Sequence, residues 1–124
     1  MAGLTVLQRP DATDINIAFD DDSDATATKN IDNGPTTLYD VTLKTANAAV
    51  SYFSMWDDAD PVVGTDGQHF QIPLPATDEV TISFVGGFPF LVGLSWATTT
   101  LGGTAAAVSP VTPIDVLACT NGGN

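Results

Sequence analysis

The chain has 124 residues, enough for one domain with a single core, and 44% of them are hydrophobic against only 15% charged. Its formal net charge is −12, and Arg9, Lys29 and Lys44 are its only Lys or Arg residues. So sparse a set of cations argues against phosphate-backbone binding and against an anionic membrane surface, so neither nucleic acid nor a membrane is expected as a partner.

Glu79 is the only glutamate among 15 acidic residues, and the chain holds 8 Pro and 11 Gly. Asp favours turns and helix starts, so this composition predicts strands and turns rather than helices. Leu4–Leu7 reads as a first edge strand or an extended arm ending at Pro10. Over Asp14–Phe19, Ile15, Ile17 and Phe19 alternate with Asn16 and Ala18 at a period of two. Residues 20–36 read as a long loop closed by Asn33-Gly34-Pro35. Tyr39, Val41 and Leu43 then alternate with Asp40, Thr42 and Lys44.

Residues 48–75 form the centre of the pattern, two strands joined by an acidic, Gly-rich connection. Phe53 and Met55 alternate with Tyr52 and Trp56, and Phe70, Ile72 and Leu74 alternate with Gln71 and Pro73. Pro73 lacks a backbone donor, which predicts an edge strand there. Val80, Ile82 and Phe84 form a further strand broken at Gly86-Gly87, and Phe90–Thr99 forms another with Leu94 and Trp96 on one face. A small-residue loop over 101–110 leads to a last strand over 111–119, with Ile114, Val116 and Ala118 inward. The expected fold is all-β: an antiparallel β-sandwich, jelly-roll or immunoglobulin-like, of about seven to nine strands, with an extended N-terminal arm. Residues 1–33 form that arm, or first strands with an acidic loop, and residues 34–124 the sandwich domain.

No residue pattern points to catalysis or to a cofactor. Asp57, Asp58 and Asp60 share one turn, whereas paired catalytic carboxylates usually come from separate elements. His69 is the only His, Cys119 the only Cys, and neither has partners at metal-ligand spacing. With one cysteine there is no intrachain disulfide, and Cys119 reads as an ordinary strand residue. The glycines at 64, 67, 86, 87, 93, 102 and 103 precede no Lys and no helix, so they are turn and bulge glycines rather than a phosphate loop. Asp20, Asp22 and Asp24 match the start of a calcium loop, but Ala25 and Ile31 stand where Gly and Glu are needed. That leaves a solvated acidic loop, with a looser calcium site as the alternative. The N-terminus has no basic region followed by a long apolar one, so no secretory signal is expected. The candidate functional residues are three aromatics, Tyr52, Trp56 and Trp96. Their rings are covered within the domain by the arm or a loop, or form a protein interface, or stack on a glycan.

A set of pieces in fixed order carries a resemblance. They are Leu38-Tyr39-Asp40-Val41-Thr42-Leu43, Tyr52–Trp56, Val63-Gly64-Thr65-Asp66, Ile72-Pro73-Leu74-Pro75-Ala76, Phe84-Val85-Gly86-Gly87, Gly93-Leu94-Ser95-Trp96-Ala97 and Val116-Leu117-Ala118. Over residues 38–119 the chain resembles small all-β proteins encoded among the virion genes of tailed bacteriophages. The resemblance implies a non-enzymatic head decoration (cement) protein that binds the major capsid protein on the capsid exterior. It also implies a homo-oligomer, a trimer by preference. The alternatives are a neck, tail or fibre-associated sandwich and a glycan- or receptor-binding module. A hydrolase using the Asp pair ranks last.

Overall fold

The computed structural model describes residues 3–8 and 15–122. Its regular elements are eight strands: β1 (Leu4–Gln8), β2 (Asn16–Ser23), β3 (Thr36–Lys44), β4 (Ser51–Asp57), β5 (Phe70–Leu74), β6 (Glu79–Phe90), β7 (Leu94–Thr99) and β8 (Ile114–Gly122). They form two antiparallel sheets, one of order β1-β2-β8-β3-β6 and one of order β5-β4-β7. Facing each other, the two sheets make a β-sandwich.

The strand order decides between the two sandwich types. In an immunoglobulin-like order, the last strand neighbours the strand before it in the same sheet. Here β8 is inserted between β2 and β3, and the chain changes sheets after β3, β5, β6 and β7. With β1 set aside as an added edge strand, that is the order of a jelly roll short of one strand. The missing place, beside β7, is held by the segment after β2. Thr28 bridges Trp96 through two backbone hydrogen bonds of 2.8 and 3.0 Å, and the amides of Ile31 and Thr98 bond the carbonyls of Leu94 and Asp24.

The core lies between the sheets. Leu38, Val41, Leu43, Ile114, Val116 and Ala118 from the larger sheet meet Phe53, Met55, Leu74, Leu94 and Trp96 from the smaller. Full burial of one such large side chain stabilises by about 1.5–3 kcal/mol. Where β5 lies over β6, Phe70 packs against Phe84 and Phe88, with ring centroids 5.4 and 4.8 Å apart, and closes that side.

Several expectations change. Residues 20–23 are not loop but the end of β2, and 24–31 run beside β7. Asp20 and Ser23 fill inward places that an apolar pattern would not suggest. Gly86-Gly87 does not end a strand either. Both take positive φ, 81° and 88°, and β6 continues through them to Phe90, with a register shift against β3 at Tyr39. The break lies at 91–93, so β7 begins at Leu94 rather than Phe90. Within the stretch read as an arm or first strands, residues 4–8 and 16–23 are strands of the larger sheet. Pro10 and Asp14 lie outside the described residues.

Candidate contact surface

The outer face of the smaller sheet carries Tyr52 and Trp56, opposite the core-facing Phe53 and Met55. It is not bare. The Trp56 indole Nε1 donates to the Asp66 carbonyl at 3.0 Å, drawing the 57–69 connection over the ring, and Trp56 is only 3% exposed. Asp66 Oδ2 accepts the Val62 amide and holds that turn. From the other side, the Gly103 amide donates to Gln71 Oε1 and Gln71 Nε2 donates to Ser54 Oγ, tying the 101–110 loop to the sheet. The Tyr52 ring lies against Gly102 and is half-buried. The cover therefore comes from two loops of this chain.

Trp96 points the other way, into the core. It is fully buried, 5.9 Å from Phe53 between ring centroids, and its Nε1 donates to Asp20 Oδ2 at 2.9 Å. Of the alternatives left open for these rings, cover within the domain describes Trp56 and burial in the core describes Trp96. Of the three aromatics, only Tyr52 keeps appreciable exposed surface.

Asp20, Asp21 and Asp24 of the acidic run accept hydrogen bonds within the chain. Asp20 is 1% exposed; its carboxylate accepts from the Asp22 amide, the Thr28 hydroxyl and the Trp96 indole. Asp21 accepts from the Gly3 amide, and Asp24 from the Thr26 amide. Gly3, Leu4, Asp20, Asp22, Asp24 and residues 26–28 line a shallow polar pocket of about 300 Å³. Among the described residues, no three His, Cys, Asp or Glu converge to hold a metal ion. A second buried acid, Asp32, accepts from the Thr36 and Thr120 hydroxyls and from Asn16 Nδ2.

Asp57 clamps the connection between β6 and β7. Its Oδ1 accepts the amides of Val92 at 2.7 Å and Gly93 at 3.2 Å, and its Oδ2 that of Leu91 at 3.0 Å. Burial pushes its carboxyl pKa up, but those three amides outweigh burial and hold it below its ordinary value. His69 Nδ1 accepts the Asp57 amide, while Asp58 Oδ1 accepts the amide of Asp60, so the three aspartates serve the turn. Burial, then the charge and hydrogen bond of Asp40, push the Cys119 thiol up, which keeps it in its less reactive form.

The surface that sequence reasoning passed over is the outer face of the larger sheet. The register aligns Ile17 with Cys119, Asp40 and Ser83 across β2, β8, β3 and β6, and Phe19 with Leu117, Thr42 and Thr81. The face thus changes from apolar at β2 and β8 to polar at β3 and β6, where Thr42 and Thr81 share a hydrogen bond. Ile15, Ile17, Phe19 and Leu117 are 42%, 42%, 38% and 41% exposed. On the inner side of β2 are Asn16, Ala18 and Asp20, all buried. The larger side chains of this strand therefore face out, an inversion of the usual amphipathic rule. The sequence signal was the plain alternation over 15–19, but alternation alone does not say which set faces in.

A separate cleft of about 300 Å³ lies at one end of the sandwich between 46–51 and 110–112, where the Asn47 side chain ties the two segments through Thr112. No family profile matches the chain, and no curated protein or solved structure matches it. The fold and its surfaces define a small all-β jelly-roll sandwich whose candidate site is a contact surface.

Proposed function

We propose that this chain is a non-enzymatic bacteriophage virion protein, a head decoration protein that binds the major capsid protein on the outside of the assembled shell. The observation that carries this reading is the apolar strip of Ile15, Ile17, Phe19 and Leu117, side by side on one sheet face of a strongly acidic chain. Contiguous exposed apolar surface favours a protein partner. The motif order over residues 38–119 supplies the virion context as a resemblance. Asp21 and Asp22 are exposed beyond the strip, and Asp40 and Asp115 are half-buried beside it. A partner with an apolar centre and a basic rim fits that arrangement, and such binding weakens as salt rises. Stabilisation of the shell follows from mass action, because the protein binds the assembled lattice and not its disrupted state.

The test uses shells assembled without the protein, incubated with the wild-type chain or with a Phe19→Gln, Leu117→Gln double variant. Wild-type protein should bind in lattice stoichiometry and raise the temperature at which the shells release their contents. The variant should melt like wild type yet fail to bind. A wild-type chain found only on the neck, tail or fibres, or one that leaves shell stability unchanged, would overturn the head assignment.

A further inference from the structure

The four edges of the two sheets are not equivalent. β5 carries Pro73, which blocks the ladder at its own edge. β6 begins at the charged Glu79, is bent at Gly86 and Gly87, and carries Pro89. The β7 edge is covered by the segment that bridges Trp96 at Thr28. The fourth edge, β1, reads Leu4-Thr5-Val6-Leu7-Gln8, with no Pro, Gly or charge. Natural sheets guard an exposed edge with such residues, because a bare edge presents unpaired amides and carbonyls to any other strand. Among the described edges, β1 alone has neither such residues in its strand nor a described segment along it.

From this asymmetry we infer that β1 is a docking edge for a second copy of the same chain. Two β1 strands pair antiparallel about a two-fold axis centred on Val6, joining two five-stranded sheets into one of ten strands. The occupant follows from charge and symmetry. A chain of net charge −12 repels its own copy over most of its surface, and β1 is a strand with no ionisable side chain. A head-to-tail ring, including a trimer, would require β1 to pair with a different edge, and those edges are guarded. An edge that is complementary only to itself gives an isologous, two-fold contact. Leu4 and Val6 are 37% and 38% exposed on the side of the sheet that carries Ala18 and Asp20, so the pairing also gathers four apolar side chains at the seam.

The test measures the mass of the full chain by light scattering over a dilution series, for wild type, Val6→Lys and Val6→Glu. Wild type should have twice the chain mass and dissociate on dilution. Each variant alone should be monomeric, because like charges meet across the axis. An equimolar mixture of the two should regain the dimer. Backbone amide exchange in wild-type β1 should slow as concentration rises, a readout that does not depend on either variant folding. Four results would each overturn the pairing: wild type monomeric at every concentration with unchanged β1 exchange, a wild-type trimer, variants that remain dimeric alone, or folded variants whose mixture stays monomeric.

Discussion

Trp96 donates its indole N–H to the carboxylate of Asp20 across 2.9 Å in the interior of the sandwich, joining β7 to β2 from opposite sheets. Thr28, from the segment beside β7, gives its hydroxyl to the same oxygen at 2.7 Å. Asp20→Ala leaves both donors buried without an acceptor and should cost about 3 kcal/mol, read from urea unfolding. Asp20→Asn keeps one acceptor oxygen and should cost less. In a double-mutant cycle with Trp96→Phe, the coupling should be about 1–2 kcal/mol. Additive losses would show that the bond contributes nothing of its own.

Asp57 makes stability depend on pH. Its folded pKa lies below the ordinary value of 3.8, so the charged form favours the fold. That contribution is fully present above the unfolded value and is lost as pH falls through the folded one. The side chain is partly exposed, so Asp57→Asn should cost only about 1 kcal/mol at pH 7. The gap between wild type and variant should close on acidification below about pH 4. A gap of constant size between pH 7 and pH 2 would refute the assignment.

Trp56 should behave as a structural residue. Trp56→Ala removes a ring sealed beneath the 57–69 connection and should cost about 3 kcal/mol. Trp56→Phe keeps most of the packing and loses the bond to the Asp66 carbonyl, a loss of about 1 kcal/mol. At temperatures where both variants remain folded, shell binding should match wild type. A selective loss of binding would return Trp56 to the contact surface.

The two glycines of β6 should respond differently to the same substitution. Gly86 has φ of 81° with open space where an alanine methyl would sit, so Gly86→Ala should cost about 1–2 kcal/mol from backbone strain alone. At Gly87, φ is 88° and a Cβ would lie 2.4 Å from Thr37 Cγ2 and 2.9 Å from the Tyr39 ring. Gly87→Ala should therefore lower the melting temperature further than Gly86→Ala, and equal shifts would contradict this geometry.

The architecture was largely legible because most strands obey a simple rule: Val41 and Leu43, Phe53 and Met55, and Ile114, Val116 and Ala118 all send their apolar set inward. It failed where a polar residue took an inward place. Asp20 is satisfied by donors from Thr28 and Trp96, a sequence separation of up to 76 residues, and no local pattern carries that information. Gly86-Gly87 resembled a terminator because two glycines read alike whether they end a strand or bulge it. The same gap hid the contact strip: Ile15, Ile17 and Phe19 were visible as a set, but they face out because Asn16, Ala18 and Asp20 take the inward places, and alternation alone does not say which set that is. Trp56 and Trp96 drew notice for their size, yet their indole N–H groups already had acceptors within the chain.

The central place of β8 bears on how the chain reaches this state. It lies between β2 and β3, so until residues 114–122 have left the ribosome the larger sheet has no strand to join β2 to β3. Both ladders to β8 join strands far apart in sequence, a topology that folds slowly because loop closure precedes reward. Through that interval Val41, Leu43 and Ala18 lack their final neighbours, and the charge of the abundant aspartates repels one copy from another. The negative charge that opposes contact between finished copies thus opposes it between unfinished ones as well.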